Sequence, residues 1–197
     1  MTTGIDLVET QLQITQSGKL PFTQNQISRK NHAIECRIYA ENVQESFVPS
    51  TGIINNLEIP SNPFCRIDHN LEQGMQITPF FDPMIGKITT FGADRSQAIK
   101  NMLMTLGNFK ISGIKTNISF LKNILKTEQF DNGQFHIQTL NNKDYLKDLL
   151  SSKTQFCESE EIVSLIGAML LLKLSKQKNK SQNQKQTLNH WQEQRWK

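Results

Sequence analysis

The chain has 197 residues, 37% of them apolar and 20% charged, with a net charge of +4. This is enough for one domain with a real core plus an appendage, and it favours a globular class over disorder for most of the length. The three cysteines, Cys36, Cys65 and Cys157, are odd in number and far apart, which excludes a disulfide framework and points to a reducing compartment.

Ile5, Val8 and Leu12 recur at helical spacing and Gly18 supplies a stop, so residues 4–16 are expected to be helical. Pro21 and the polar run 23–28 form a connection. Residues 32–41 alternate at strand period. The segment Phe47-Val-Pro-Ser-Thr-Gly52 is a turn between extended stretches. Residues 53–59, 64–67, 75–78 and 85–91 read as short strands broken by turn residues, which predicts an antiparallel sheet. The period then changes. Asp94 is a candidate N-cap with Gln97 at the capping-box position, ahead of an apolar stripe of Ile99, Met102, Leu103 and Leu106 ending near Phe109. A second helix follows Asn117, with Ile118, Leu121, Ile124 and Leu125 on one side. A closing helix is expected at 145–150. Strands followed by helices without regular alternation indicate an α+β fold.

The composition shifts from Ser151. Ser159 and Glu160-Glu161 open an expected helix with an apolar face of Ile162, Leu165, Ile166, Met169 and Leu170. Residues 176–186 are polar and lack aromatics for base stacking, so no nucleic-acid partner is expected. A basic-tailed binding module over residues 173–185 is the competing reading. Trp191 and Trp196 suggest the start of another packed unit. The longest apolar stretch, 162–172, is too short for the roughly 20 residues of a bilayer span, and the N-terminus has no signal pattern; a soluble protein with no membrane association is expected.

Parity sorts residues 32–41 onto two faces. Ile34, Cys36, Ile38 and Ala40 look built for a core. Glu35, Arg37, Tyr39 and Glu41 share the other side. An arginine with carboxylates two and four residues away on the same face is a fixed donor suited to an anionic reactant. The alternative is a solvated sheet surface of mixed charge.

Five stretches then coincide in one order: His32-Ala-Ile-Glu-Cys-Arg37-Ile-Tyr-Ala-Glu41, Phe47-Val-Pro-Ser-Thr-Gly52, Phe80-Phe-Asp-Pro-Met-Ile-Gly-Lys87, Gly113-Ile-Lys-Thr-Asn117 and Phe130-Asp-Asn-Gly133. Together they resemble the C-terminal domain of biotin carboxylase over residues 1–147. The tail, 148–197, resembles the helix, polar linker and start of the following domain in the α subunits of acyl-CoA carboxylases. The resemblance implies an α+β, rudiment-hybrid-like domain with an antiparallel sheet and packed helices, followed by a helical extension. It implies a role in carboxylating carrier-bound biotin with Mg-ATP and bicarbonate. It also implies Arg37 as the catalytic guanidinium that stabilises an oxyanion, with Glu35 and Asp82 in the biotin and bicarbonate pocket.

Each residue has a plainer alternative. Glu35 and Glu41 could orient Arg37 or be surface carboxylates. Asp82 could serve the pocket or cap a turn. Lys87 belongs to the same motif and is a solvated strand lysine by default. The resemblance places Ile137 against a nucleotide's adenine, although an isoleucine is more often core. It places Arg66 in a homodimer interface, where a solvated arginine is equally plausible. His32, His69 and His136 have no partner at metal-ligand spacing, so no metal is assigned to them.

The family's ATP-grasp lobe and its biotin-attachment segment are not matched by any stretch of these residues, so ATP, Mg²⁺ and biotin are expected to be held mainly by other parts. The expected partners are a second copy of the chain, an ATP-grasp lobe, a biotin carrier domain and a carboxyltransferase β subunit. The expected compartment is the cytoplasm, or the mitochondrial matrix in a eukaryote. The chain is expected to be inactive alone: an isolated domain, a fragment of a longer frame or a split subunit. The competing reading is a non-catalytic fragment that keeps only the fold and a dimerisation surface.

Overall fold

The structure, a computed structural model, describes residues 1–151 and 169–170. The chain parts into two compact units, Met1–Ser152 and Lys153–Lys197. In the second, Met169 and Leu170 are helical and exposed. The remaining expectations for the tail, with Cys157, Trp191 and Trp196, lie outside the described residues.

The first unit opens with helix α1, Leu7–Ser17. The Asp6 side chain accepts from the Val8 and Glu9 amides, and Gly18 closes the helix at φ 66°, the left-handed cap glycine adopts without strain. A run of strands follows: β1 His32–Tyr39, β2 Glu41–Asn42, β3 Val48–Pro49, β4 Gly52–Ile53, β5 Asn56–Glu58, β6 Cys65–His69, β7 Gln76–Ile77 and β8 Met84–Gly92. Helix α2 spans Arg95–Asn108, strand β9 Lys110–Ser112, and helices α3 Ile118–Leu125, α4 Glu128–Asp131 and α5 Lys143–Ser151 complete the unit. The α+β class and the antiparallel pairing are as expected.

The central sheet has the order β1-β8-β6, antiparallel throughout. Its inner face buries Ile34, Cys36 and Ile38 of β1 and Ile88 and Thr90 of β8. Helix α2 lies on that face with Ala98, Ile99, Met102 and Leu106, which, with the sheet residues, form one core. Burying side chains of this size contributes roughly 1.5–3 kcal/mol each. The buried Thr90 hydroxyl donates to the Ala98 carbonyl at 3.0 Å, so the sheet carries no unsatisfied polar atom under the helix. A smaller cluster of Val43, Phe120 and Leu149 seats α5 against α3.

Asp94 caps α2 by accepting from the Gln97 amide at 2.8 Å. The expected reciprocal capping box does not form, because the Gln97 side chain turns along the helix and donates to Asn101 at 3.0 Å. Residues 53–59 are two strands instead of one. β4 pairs with β7 and β5 with β9, the change of partner falling at Ile54–Asn55.

Candidate functional site

Strand parity puts Glu35 and Arg37 on the outer face of the sheet, opposite the core. Arg37 keeps 61% of its side chain exposed. Its backbone is unusually well fixed for an edge strand. β8 pairs one side of β1, and Asn117 covers the other. The Asn117 side chain accepts from the Tyr39 amide at 3.0 Å and donates to the Arg37 carbonyl at 3.1 Å, while its own amide donates to the Tyr39 carbonyl at 3.2 Å. Asn117 stands at the N-cap of α3 without capping it, because its carboxamide serves the strand. The Gly113-to-Asn117 motif contains this residue, yet nothing local in the sequence signals the role.

Five charged groups alternate across the three strands. Arg37 Nε donates to Glu35 Oε1 at 3.4 Å. Lys87 Nζ lies 4.0 Å from Glu35 Oε2 and 3.7 Å from Asp68 Oδ2. Arg66 Nε donates to Asp68 Oδ1 at 2.8 Å. The Tyr39 hydroxyl and then Glu35 hold the Arg37 guanidinium even more firmly protonated than usual. Arg66, followed by Lys87 among the charges acting on it, keeps Asp68 below the usual carboxylate range. Arg66 is thus both exposed and ion-paired, on the outer strand of the sheet. Lys87, read as solvated by default, is half-exposed and shared between two carboxylates.

Other expected residues fall elsewhere. Glu41 keeps the parity of Arg37, since burial alternates through Asn42 and the extra residue at the Ile38/Tyr39 irregularity is Ile85 of β8, but it lies beyond β1, at the start of β2 opposite Pro49. Burial, and secondly the charge of Asp82, raises the Glu41 carboxyl above its ordinary value. Asp82 caps the entry to β8, accepting from the Met84 amide at 2.8 Å. It also lines a cavity of about 520 Å³ together with Asp68, Met75, Phe81 and Lys87. Arg37 lines neither this cavity nor the one of about 370 Å³ beside Glu35 and Arg66. Ile137 is 97% exposed, which overturns its reading as core: it sits in the loop between α4 and α5, with no apolar wall beside it.

That loop is held at its root by Arg95, a residue without an assignment from the sequence. Its Nε donates to the carbonyls of Phe130 at 3.1 Å and Asp131 at 3.2 Å, and Nη2 donates to Phe130 at 2.5 Å. The guanidinium also stacks 4.7 Å from the Phe130 ring and 5.4 Å from that of Phe135.

Among the described residues no three His, Cys, Asp or Glu side chains gather as a metal site. The acidic groups nearest Arg37 are already engaged by cations, so this donor set does not fit a metal–nucleotide complex. No helix among the described residues is long and apolar enough to cross a membrane.

Residues 35–142 match the family model of the biotin carboxylase C-terminal domain. The chain belongs to that family. It is 35% identical to the mitochondrial methylcrotonoyl-CoA carboxylase alpha subunit of Oryza sativa over 178 residues, 88% of this chain but 24% of the relative. It is 40% identical to the biotin carboxylase of Halalkalibacterium halodurans over 132 residues, 67% of this chain and 29% of the relative. Among solved structures, the biotin carboxylase domain of a thermophilic 2-oxoglutarate carboxylase bound to bicarbonate superposes with a TM-score of 0.68 at 34% identity. It covers 74% of this chain and 33% of that one. The chain therefore spans less than a third of these curated relatives and about a third of the solved domain. Two of the three are named for different acceptors and one for biotin carboxylase alone, so the shared segment carries what is common to them, the biotin carboxylase part.

Proposed function

We propose that this chain is the C-terminal lobe of a biotin carboxylase and contributes to ATP- and bicarbonate-dependent carboxylation of carrier-bound biotin. The observation that carries the reading is Arg37: a permanently charged fork on a strand pinned from both sides, bonded by Glu35 at Nε and by the Tyr39 hydroxyl, with most of its side chain exposed. Such a group can hold bicarbonate, or the ureido oxygen of biotin as the neighbouring nitrogen gives up its proton. It needs no rearrangement as negative charge develops. Glu35 orients it. Asp82, at the entry to β8, would serve the biotin pocket from the neighbouring cavity. The exposed Ile137 would meet a nucleotide's adenine, and Arg66 on β6 would meet a second copy of the chain. A homologous solved domain is described as a dimer with MgADP and bicarbonate. The nucleotide and its metal would be held by an ATP-grasp lobe, since the residues here do not suit them.

The finer reading is an acyl-CoA carboxylase with a carrier domain and a carboxyltransferase β subunit. The alignment with the rice protein supports it, extending over 178 residues and past the family domain. The compartment would be the cytoplasm, or the mitochondrial matrix in a eukaryote. The boundary of the lobe would fall near residue 147.

The test is reconstitution with a separately produced ATP-grasp lobe. Biotin-dependent ATP cleavage should appear only in the mixture. Arg37→Ala should lower it by about 100-fold or more, and Arg37→Lys, which keeps charge without the fork, should recover little of it. Full activity in Arg37→Ala would remove Arg37 from its assigned role, whereas a mixture that gains no activity from this chain would favour the non-catalytic reading.

A further inference from the structure

Arg37 and Lys87 are direct cross-strand partners, an arrangement of like charges that by itself destabilises a sheet. Carboxylates on both flanks relieve it: Glu35 on β1, and Asp68 on β6 directly opposite Lys87. Glu35 faces the two cations with different oxygens, Oε1 toward Arg37 and Oε2 toward Lys87. A carboxylate alone with a guanidinium favours a fork-to-fork pair that takes two N–H groups at once. Here the hydrogen bond to Glu35 is made through Nε, and the Tyr39 hydroxyl bonds with the guanidinium as well.

We infer that Lys87 is a positioning residue for Arg37. Anchored by Asp68, it occupies the outer oxygen of Glu35 and keeps that carboxylate from closing over the guanidinium fork. The part of the fork not bonded with the Tyr39 hydroxyl is then left to an incoming oxyanion. Exposed ion pairs are individually weak, but little is asked of them. The backbone register fixes where the groups stand, and the pairs only choose between rotamers of Glu35. The consequence for carboxylation rests on the proposed function, whereas the positioning is a property of this chain alone.

The experiment is side-chain NMR on the full, ligand-free chain, reading exchange of the Arg37 terminal (Nη) protons with water. Lys87→Met should slow it about threefold, the population change that the worth of one exposed pair converts to. Lys87→Arg should match the wild type. Glu35→Gln combined with Lys87→Met should abolish the slowing, because no carboxylate remains to close on the fork. Identical Arg37 signals in Lys87→Met and wild type would overturn the inference. So would slowing that persists in the double variant, or Lys87→Arg behaving as Lys87→Met. If Arg37→Ala proved fully active in the reconstituted mixture, the functional reading would fall while these signals kept their response, so the two failures are separable.

Discussion

The carboxamide of Asn117 satisfies two backbone groups of β1, one on each side of the Ile38 peptide, from nearly 80 residues away in sequence. Asn117→Ala would leave the Tyr39 amide and the Arg37 carbonyl without these partners. It should cost about 1–3 kcal/mol in urea denaturation. The same substitution should blunt any activity that depends on Arg37 more than the stability loss explains, since it loosens the strand under the guanidinium. Arg37 and Asn117 mark the limit of legibility at this scale. Arg37 is readable because strand parity is local, and Glu35 follows from it two residues away. Asn117 is not, because its partner is chosen by the tertiary fold, and an asparagine before a helix reads first as a cap. Glu41 keeps the parity of Arg37, because the extra residue at the Ile38/Tyr39 irregularity belongs to β8, yet β1 ends at Tyr39 and Glu41 stands on β2, which parity alone does not reveal.

Two of the motifs meet at a pair of glycines. Gly113 has φ 99°, and a Cβ there would fall 1.9 Å from the Ile53 carbonyl oxygen; one on Gly52 would fall 2.6 Å from the Gly113 oxygen. The backbones cross where residues 53–59 exchange β7 for β9 as partner, which is why an apparently continuous strand is two. Ser50 reinforces the crossing by accepting from the Lys115 amide at 2.9 Å. Gly113→Ala therefore combines positive φ with a backbone clash and should cost more than about 2 kcal/mol, read as a lowered urea midpoint. Long amphipathic elements such as α2 were legible from their period. β9 and α4 were not, being three and four residues long and set by pairing and capping. Arg95 supplies the second prediction at this scale. Arg95→Met keeps the bulk but removes the donors to Phe130 and Asp131, so hydrogen exchange should rise over 128–142 while α2 stays protected.

Over the whole first unit, pattern reveals which faces are apolar and not what covers them. α1 has the helical stripe expected of it, yet Leu7, Val8 and Leu12 remain 71%, 67% and 67% exposed. The sheet's inner face, by contrast, has α2 upon it, and its most sensitive reporter is Cys36. Burial, and secondly the charge of Glu35, pushes the Cys36 thiol up to about 12. In the unfolded chain a thiol titrates near 8.5. Above that pH the unfolded state releases a proton that the folded state keeps, so the folded state binds more protons and stability falls as pH rises. Below it the contribution is intact. The slope approaches about 1.4 kcal/mol per pH unit, or about 2 kcal/mol lost between pH 7.5 and 10. Lysines and tyrosines titrate over the same range, so the measurement is a difference: urea unfolding of wild type and Cys36→Ala at pH 7.5 and pH 10. The variant pays a constant cost for the missing sulfur but should lose about 2 kcal/mol less than wild type on going to the higher pH. Parallel losses in the two proteins would mean that the thiol reaches water without global unfolding. The β1–α2 interface would then open locally, beneath the strand that carries Arg37.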